Sequence, residues 1–228
     1  PSTMFRVLFV LVSIALVAAA CGDSDDAGGT TQASTTTAAT GASTSEAPET
    51  TTTTTSPPEP RETAPVTITG DSLPETTDSG ADPALGLMAP TIVGSDFSGN
   101  EVVIGESDGP QAIMFVAHWC PHCQNEVPAV QAWVNETGGV DGFEIVAVST
   151  AVVAERPNYP PSAWFEGEGW SSSVMVDDDE ASSFIAYGGR VIPFWVFLDS
   201  DGRVFERIDG GVDPALLQSV MNDLSVAG

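Results

Sequence analysis

The chain has 228 residues, 42% of them hydrophobic, and sets 32 acidic residues against 6 basic ones for a formal net charge of −26. All the basic residues are arginines. A chain this acidic is repelled by phosphate backbones, which argues against a nucleic-acid partner and leaves the charge as a means of keeping an exposed protein soluble. The length suits one ordinary domain plus a further segment.

Read from Met4, the chain opens with Arg6, an apolar run Val7 to Val17 too short to span a bilayer comfortably, and the small residues Ala18, Ala19 and Ala20 before Cys21. This is similar to a bacterial lipoprotein signal. The resemblance implies that residues 1–21 form a signal segment ending at a lipidated Cys21, although Ala18 stands where a Leu-like residue is usual. An ordinary secretory signal, giving a secreted protein, is the alternative. Both place the protein outside the cytoplasm, and the first holds it by a lipid on the outer face of the cell membrane.

Residues 22–85 are rich in Thr, Ser, Pro and acids, as in "TTTTTSPPEP". They offer little to bury against the cost of ordering, so a disordered tether is expected, spanning about 45 Å as a coil. Its composition also suits an O-glycosylated stalk.

Residues 86–228 have the size of a domain with its own core. They carry 21 acidic residues against four arginines. "TIVGSDFSGNEVVIGESDGP" over 91–110 reads as a small hairpin. The continuous apolar run at 111–117 predicts a central strand, and the pattern from Cys120 to about Glu136 a helix with Val127, Val130 and Val134 on one side. A buried strand is predicted over 143–149, an irregular stretch with a short helix at 162–166, a strand at 173–176, and a helix opened by acids at 180–187. Two strands joined by "DSDG" follow at 194–198 and 203–208, then a helix at 214–224 with Leu216, Leu217 and Val220 on its apolar side. Strand–helix–strand units demand parallel crossovers, so an α/β mixed sheet with helices on both faces is expected.

Chemistry concentrates in "FVAHWCPHCQNEVP". With Cys21 set aside, Cys120 and Cys123 form an even pair, but a disulfide between them closes too short a loop to staple a fold. A helix beginning at Cys120 aims free N–H groups at its sulfur and favours the thiolate. Cys120 is therefore the expected attacking thiol, with Cys123, one turn inward, the resolving one. Pro121 fits the first helical turn, His122 adds a donor and a charge when protonated, and Trp119 an apolar shoulder. Haem attachment would need a His where Gln124 stands. A metal site built from His118, His122 and both cysteines would have to converge from neighbouring residues, and no metal is expected. His118 reads as a strand-end residue at the rim.

"WCPHCQNEVP" resembles the active site of thioredoxin-fold proteins of the TlpA/ResA type, and the resemblance runs through most of 86–228. "LMAPTIVGSDFSGNEVVI" is similar to that branch's N-terminal hairpin extension, and "YGGRVIPFWVFLDSDGRV" to its region around a cis-proline. It implies a thioredoxin-like fold, Pro193 as the cis-proline beside the cysteines, Pro128 as a kink in the active-site helix, and Glu126 as the motif's acid. Ile192 and Pro193 would line the substrate groove, and Phe194, where Thr is frequent, would make it more apolar. Met114 replaces the buried Asp of many thioredoxins, so proton transfer at Cys123 needs another group.

The resemblance implies a protein thiol–disulfide oxidoreductase whose only redox centre is the cysteine pair, working as a monomer with extracytoplasmic protein thiols and a membrane redox partner. The Pro-His dipeptide favours oxidation or isomerisation of secreted proteins, while the TlpA-type setting and Ile192 suit a reductant for cytochrome c maturation. A peroxiredoxin-like peroxidase and a copper metallochaperone are the alternatives from other classes. Ala117, three before Cys120, departs from the Thr or Ser usual in peroxidases.

Overall fold

The computed structural model describes residues 59–227 apart from Ser107, so Cys21 and the start of the expected tether lie outside the described residues. The elements in chain order are β1 (Thr67–Thr69), β2 (Thr91–Ser95), β3 (Glu101–Ile104), β4 (Gln111–Val116), α1 (Pro121–Thr137) and β5 (Glu144–Ser149). They continue with α2 (Pro161–Gly167), β6 (Ser173–Val176), α3 (Ser182–Ala186), β7 (Phe194–Leu198), β8 (Val204–Asp209) and α4 (Pro214–Ala227).

Every residue of β4 and β7 is buried, as expected of central strands covered on both faces. Alternation then divides the core. Ala112, Met114 and Val116 of β4 pack with Val127 and Val130 of α1 and with Leu217 and Met221 of α4. Ile113 and Phe115 point the other way, to Ala186 and Tyr187 at the end of α3. The sheet runs β1-β2-β6-β5-β4-β7-β8, with β3 paired to β2. The pairs β4–β5 and β5–β6 are parallel, while β7 and β8 are antiparallel additions. The result is the thioredoxin-like mixed sheet with an N-terminal hairpin.

Local chemistry sets the ends of the elements. α1 takes Pro121 in its first turn and closes on Gly138, whose φ of 78° lets its N–H reach Val134 O at 2.8 Å. α3 begins at Ser182 instead of 180 because Asp178 and Asp177 accept the N–H groups of Ser182 and Ser183. Those acids cap the helix from outside it. In α4, Asp213 accepts the N–H groups of Ala215 and Leu216. Its buried face is Leu217, Val220, Met221 and Leu224, whereas Leu216 is exposed.

The ordered chain starts well before residue 86, which corrects the expected boundary of the tether. β1 pairs with β2, and Ala64, Leu73 and Ala84 are buried. Arg207, its side chain fully buried, binds Asp82 and donates to Pro74 O and Tyr187 O, strapping 71–84 across the sheet. A segment anchored by isolated residues between Thr and Pro has no periodicity, so its composition conceals it.

Candidate active site

Cys120 is the N-cap of α1, with φ −77° and ψ 120°. Its Sγ–H donates to Ile192 O at 3.4 Å, and the Ile192–Pro193 peptide is cis. The helix start and the loop entering β7 thus meet at this sulfur, and Cys120 as a whole is 5% exposed. Cys123, one turn on, is fully buried. Both thiols are free. Burial pushes the Cys123 thiol far up, its hydrogen bond with Cys120 pushes the same way, and the nearby charge of Glu126 adds to this. An outer thiol that meets the partner and an inner thiol that holds its proton are the two roles an exchange needs.

Glu126 sits on the same buried side of α1, 6% exposed. Its Oε1 accepts from Trp195 Nε1 at 2.7 Å and from Val212 N at 2.5 Å, while Oε2 is buried without a partner. Desolvation raises the pKa of this carboxyl, and the two N–H donors offset only part of that. Gly211 leaves the room: a Cβ there would lie 3.2 Å from Oε2. Met114, fully buried in the same cluster as both cysteines, supplies no acid. Among the described residues, Glu126 is the one carboxyl whose charge acts on Cys123.

The other expected site residues differ in where they lie. Pro121 is exposed in the first turn, and Ile192, whose carbonyl accepts from the Cys120 thiol, leads into the cis bond at Pro193. Trp119 is partly buried and tied by its Nε1–H to Ala151 O at 2.8 Å. His122 is exposed and hydrogen-bonds to neither sulfur, so only its charge could act on them. Phe194 does not line the groove. As the first residue of β7 it turns to the opposite face, fully buried against Phe115 and Phe184.

Alternation gives Phe194's successor, Trp195, the place on the cysteine side. The signal was present, since a Trp in a buried strand needs a partner for its N–H, and here that partner is Glu126. His118 is a second residue whose role the sequence concealed. It is 1% exposed; its Nδ1–H donates to Pro157 O at 2.7 Å and its Nε2 accepts from Val153 N at 3.3 Å. With both ring nitrogens engaged it is a positioning residue for the β5–α2 loop.

Residues 69–223 match the Redoxin family model. The chain belongs to the Redoxin family. Among solved structures it is similar to a DsbF homologue from Corynebacterium diphtheriae, at 17% identity over 67% of this chain and 99% of that one, with a TM-score of 0.55. It is also similar to a thiol:disulfide interchange protein from Bacteroides sp., at 21% identity over 62% of this chain and 91% of that one, with a TM-score of 0.50. At these identities the likeness speaks to the thioredoxin-like fold. Family membership together with the Cys120–Cys123 geometry makes this Redoxin protein a thiol–disulfide oxidoreductase.

Proposed function

We propose that this protein is a membrane-tethered, extracytoplasmic member of the TlpA/ResA branch that exchanges disulfides with secreted proteins, in the direction of oxidation or isomerisation. The observation that carries the exchange is the outer Cys120, at a helix N-terminus and against the cis-proline loop, backed by a buried, proton-holding Cys123. The Pro121-His122 dipeptide between the sulfurs supports the direction, and the lipoprotein-like segment ending at Cys21 supports the tether.

In the oxidising direction a partner thiolate attacks Sγ of Cys120 in the Cys120–Cys123 disulfide. The partner–Cys120 bond forms, the Cys120–Cys123 bond breaks, and Cys123 departs with the electron pair. Its buried thiolate is a costly leaving group unless protonated, and Glu126 is placed to supply that proton. A second partner thiolate then attacks the partner sulfur of the mixed disulfide and releases Cys120 as thiolate. The partner loses two electrons and the cysteine pair gains them. Run backwards, the ionised Glu126 takes the proton from Cys123, so one carboxyl serves both directions.

The test is trapping combined with a reduction potential. Cys123→Ser should accumulate mixed disulfides through Cys120, while Cys120→Ser should accumulate none; equal trapping would reverse or abolish these roles. The wild-type pair should equilibrate on the oxidising side of about −200 mV, whereas a value near −270 mV would assign a reductant, as cytochrome c maturation requires.

A further inference from the structure

The β5–α2 loop, residues 151–160, flanks the cysteines without taking part in the chemistry above. The active-site motif itself fastens it. His118 holds Val153 and Pro157, Trp119 holds Ala151, and Asn158 Nδ2 donates back to His118 O at 3.2 Å. A turn in which Arg156 N donates to Val153 O then sets the Arg156 guanidinium over the Trp119 ring, 5.1 Å from its centroid. Arg156 is exposed, and Trp119 immediately precedes Cys120.

The other arginines from residue 86 onward are engaged. Arg190 pairs with Asp78, Arg207 with Asp82, and Arg203 donates to Gly86 O. Arg156 meets no carboxylate among the described residues, in a stretch that holds 21 acidic residues from 86 onward. The contact with the ring engages no N–H of the exposed guanidinium in a hydrogen bond with a carboxylate, and such a fork can bind one with two hydrogen bonds. The net charge of −26 repels acidic partners during approach, but beyond about 8 Å that field is screened at physiological salt. A single cation held over Trp119, the residue before Cys120, therefore acts at contact, on which cysteine is presented.

We propose that Arg156 is a specificity-determining residue that favours partner segments carrying a carboxylate close to the exchanging cysteine. The inference rests on the thiol–disulfide exchange proposed above. Its test compares two synthetic peptides, identical except for Glu or Gln two residues from the cysteine, exchanged with the full chain at 0.15 M salt.

The Glu peptide should react about two- to five-fold faster than the Gln peptide, as an exposed ion pair allows. That ratio should fall to about one in Arg156→Gln. Arg156→Lys, which keeps the charge and loses the fork, should lie between. A ratio that survives Arg156→Gln overturns the inference. Failure of the wild type to exchange with either peptide would instead sink the exchange reading on which it stands.

Discussion

The charge of Glu126 adds to the proton affinity of Cys123. The thiol is pushed up chiefly by burial and then by its neighbours, and the carboxyl is pushed up by burial against two N–H donors. Gln in place of Glu126 still accepts from Trp195 and Val212 through its carbonyl oxygen but can no longer move a proton. Glu126→Gln should slow the step in which Cys123 leaves or attacks by about a hundredfold, the low end for general acid–base catalysis, while the step that exchanges the partner–Cys120 bond with an outside thiolate keeps its rate. Stopped-flow resolution of the two steps checks this; equal slowing of both would make Glu126 merely structural. Because the folded carboxyl has a raised pKa, its contribution to stability is present below the unfolded value and is lost as pH rises through the folded one. The Gln variant should therefore be at least as stable as wild type at neutral pH. At this scale the sequence showed residue types better than their directions. The Cys pair follows from spacing on one helix and Glu126 from the motif the sequence resembles, whereas exchanging the parts of Phe194 and Trp195 required knowing which face of β7 meets the cysteines.

The elements that read most clearly are those whose pattern is complete within their own residues. β4 is one unbroken apolar run, and the Asp199–Arg203 turn between β7 and β8 is closed by the Asp199 carboxylate accepting from Asp201 and Arg203. The strap over 71–84 was invisible because its energy comes from a residue far along the chain. Asp82 is pushed up by partial burial, but the Arg207 hydrogen bonds, the Ala84 N–H and the Arg207 charge together leave its pKa lowered. Replacing Asp82 by Asn leaves a fully buried guanidinium with only carbonyl acceptors and a neutral amide. The loss should be roughly 3 kcal/mol, the low end for breaking a buried pair, since Asp82 keeps some contact with solvent. Urea unfolding measures it, and a change below about 1 kcal/mol would mean the strap is held by its apolar anchors alone. A lowered carboxyl stabilises above its unfolded pKa and loses that effect as pH falls through the folded value. The wild type should therefore shed its advantage over Asp82→Asn on acidification.

For the whole molecule, the question is what joins the domain to the place where it works. No described helix is long and apolar enough to cross a membrane, and the ordered chain begins by Glu59 at the latest. The proposed attachment rests on Cys21, which stands after a short apolar run in the sequence. If Cys21 carries lipid, Cys21→Ala should move the protein from the membrane to the soluble fraction, because the run Val7 to Val17 is too short to anchor it securely. The consequences for exchange should split. With soluble peptides the rate should stay as in wild type, since the thiols are far along the chain and behind their own fold. With a membrane-bound partner the rate should fall, because the tether turns a bimolecular encounter into one at a local concentration that reaches the millimolar range for short flexible linkers. Fractionation followed by the two rate measurements checks this. A Cys21→Ala protein that stays in the membrane would make the apolar run an uncleaved anchor, and equal loss with both substrates would mean the substitution had harmed the protein itself.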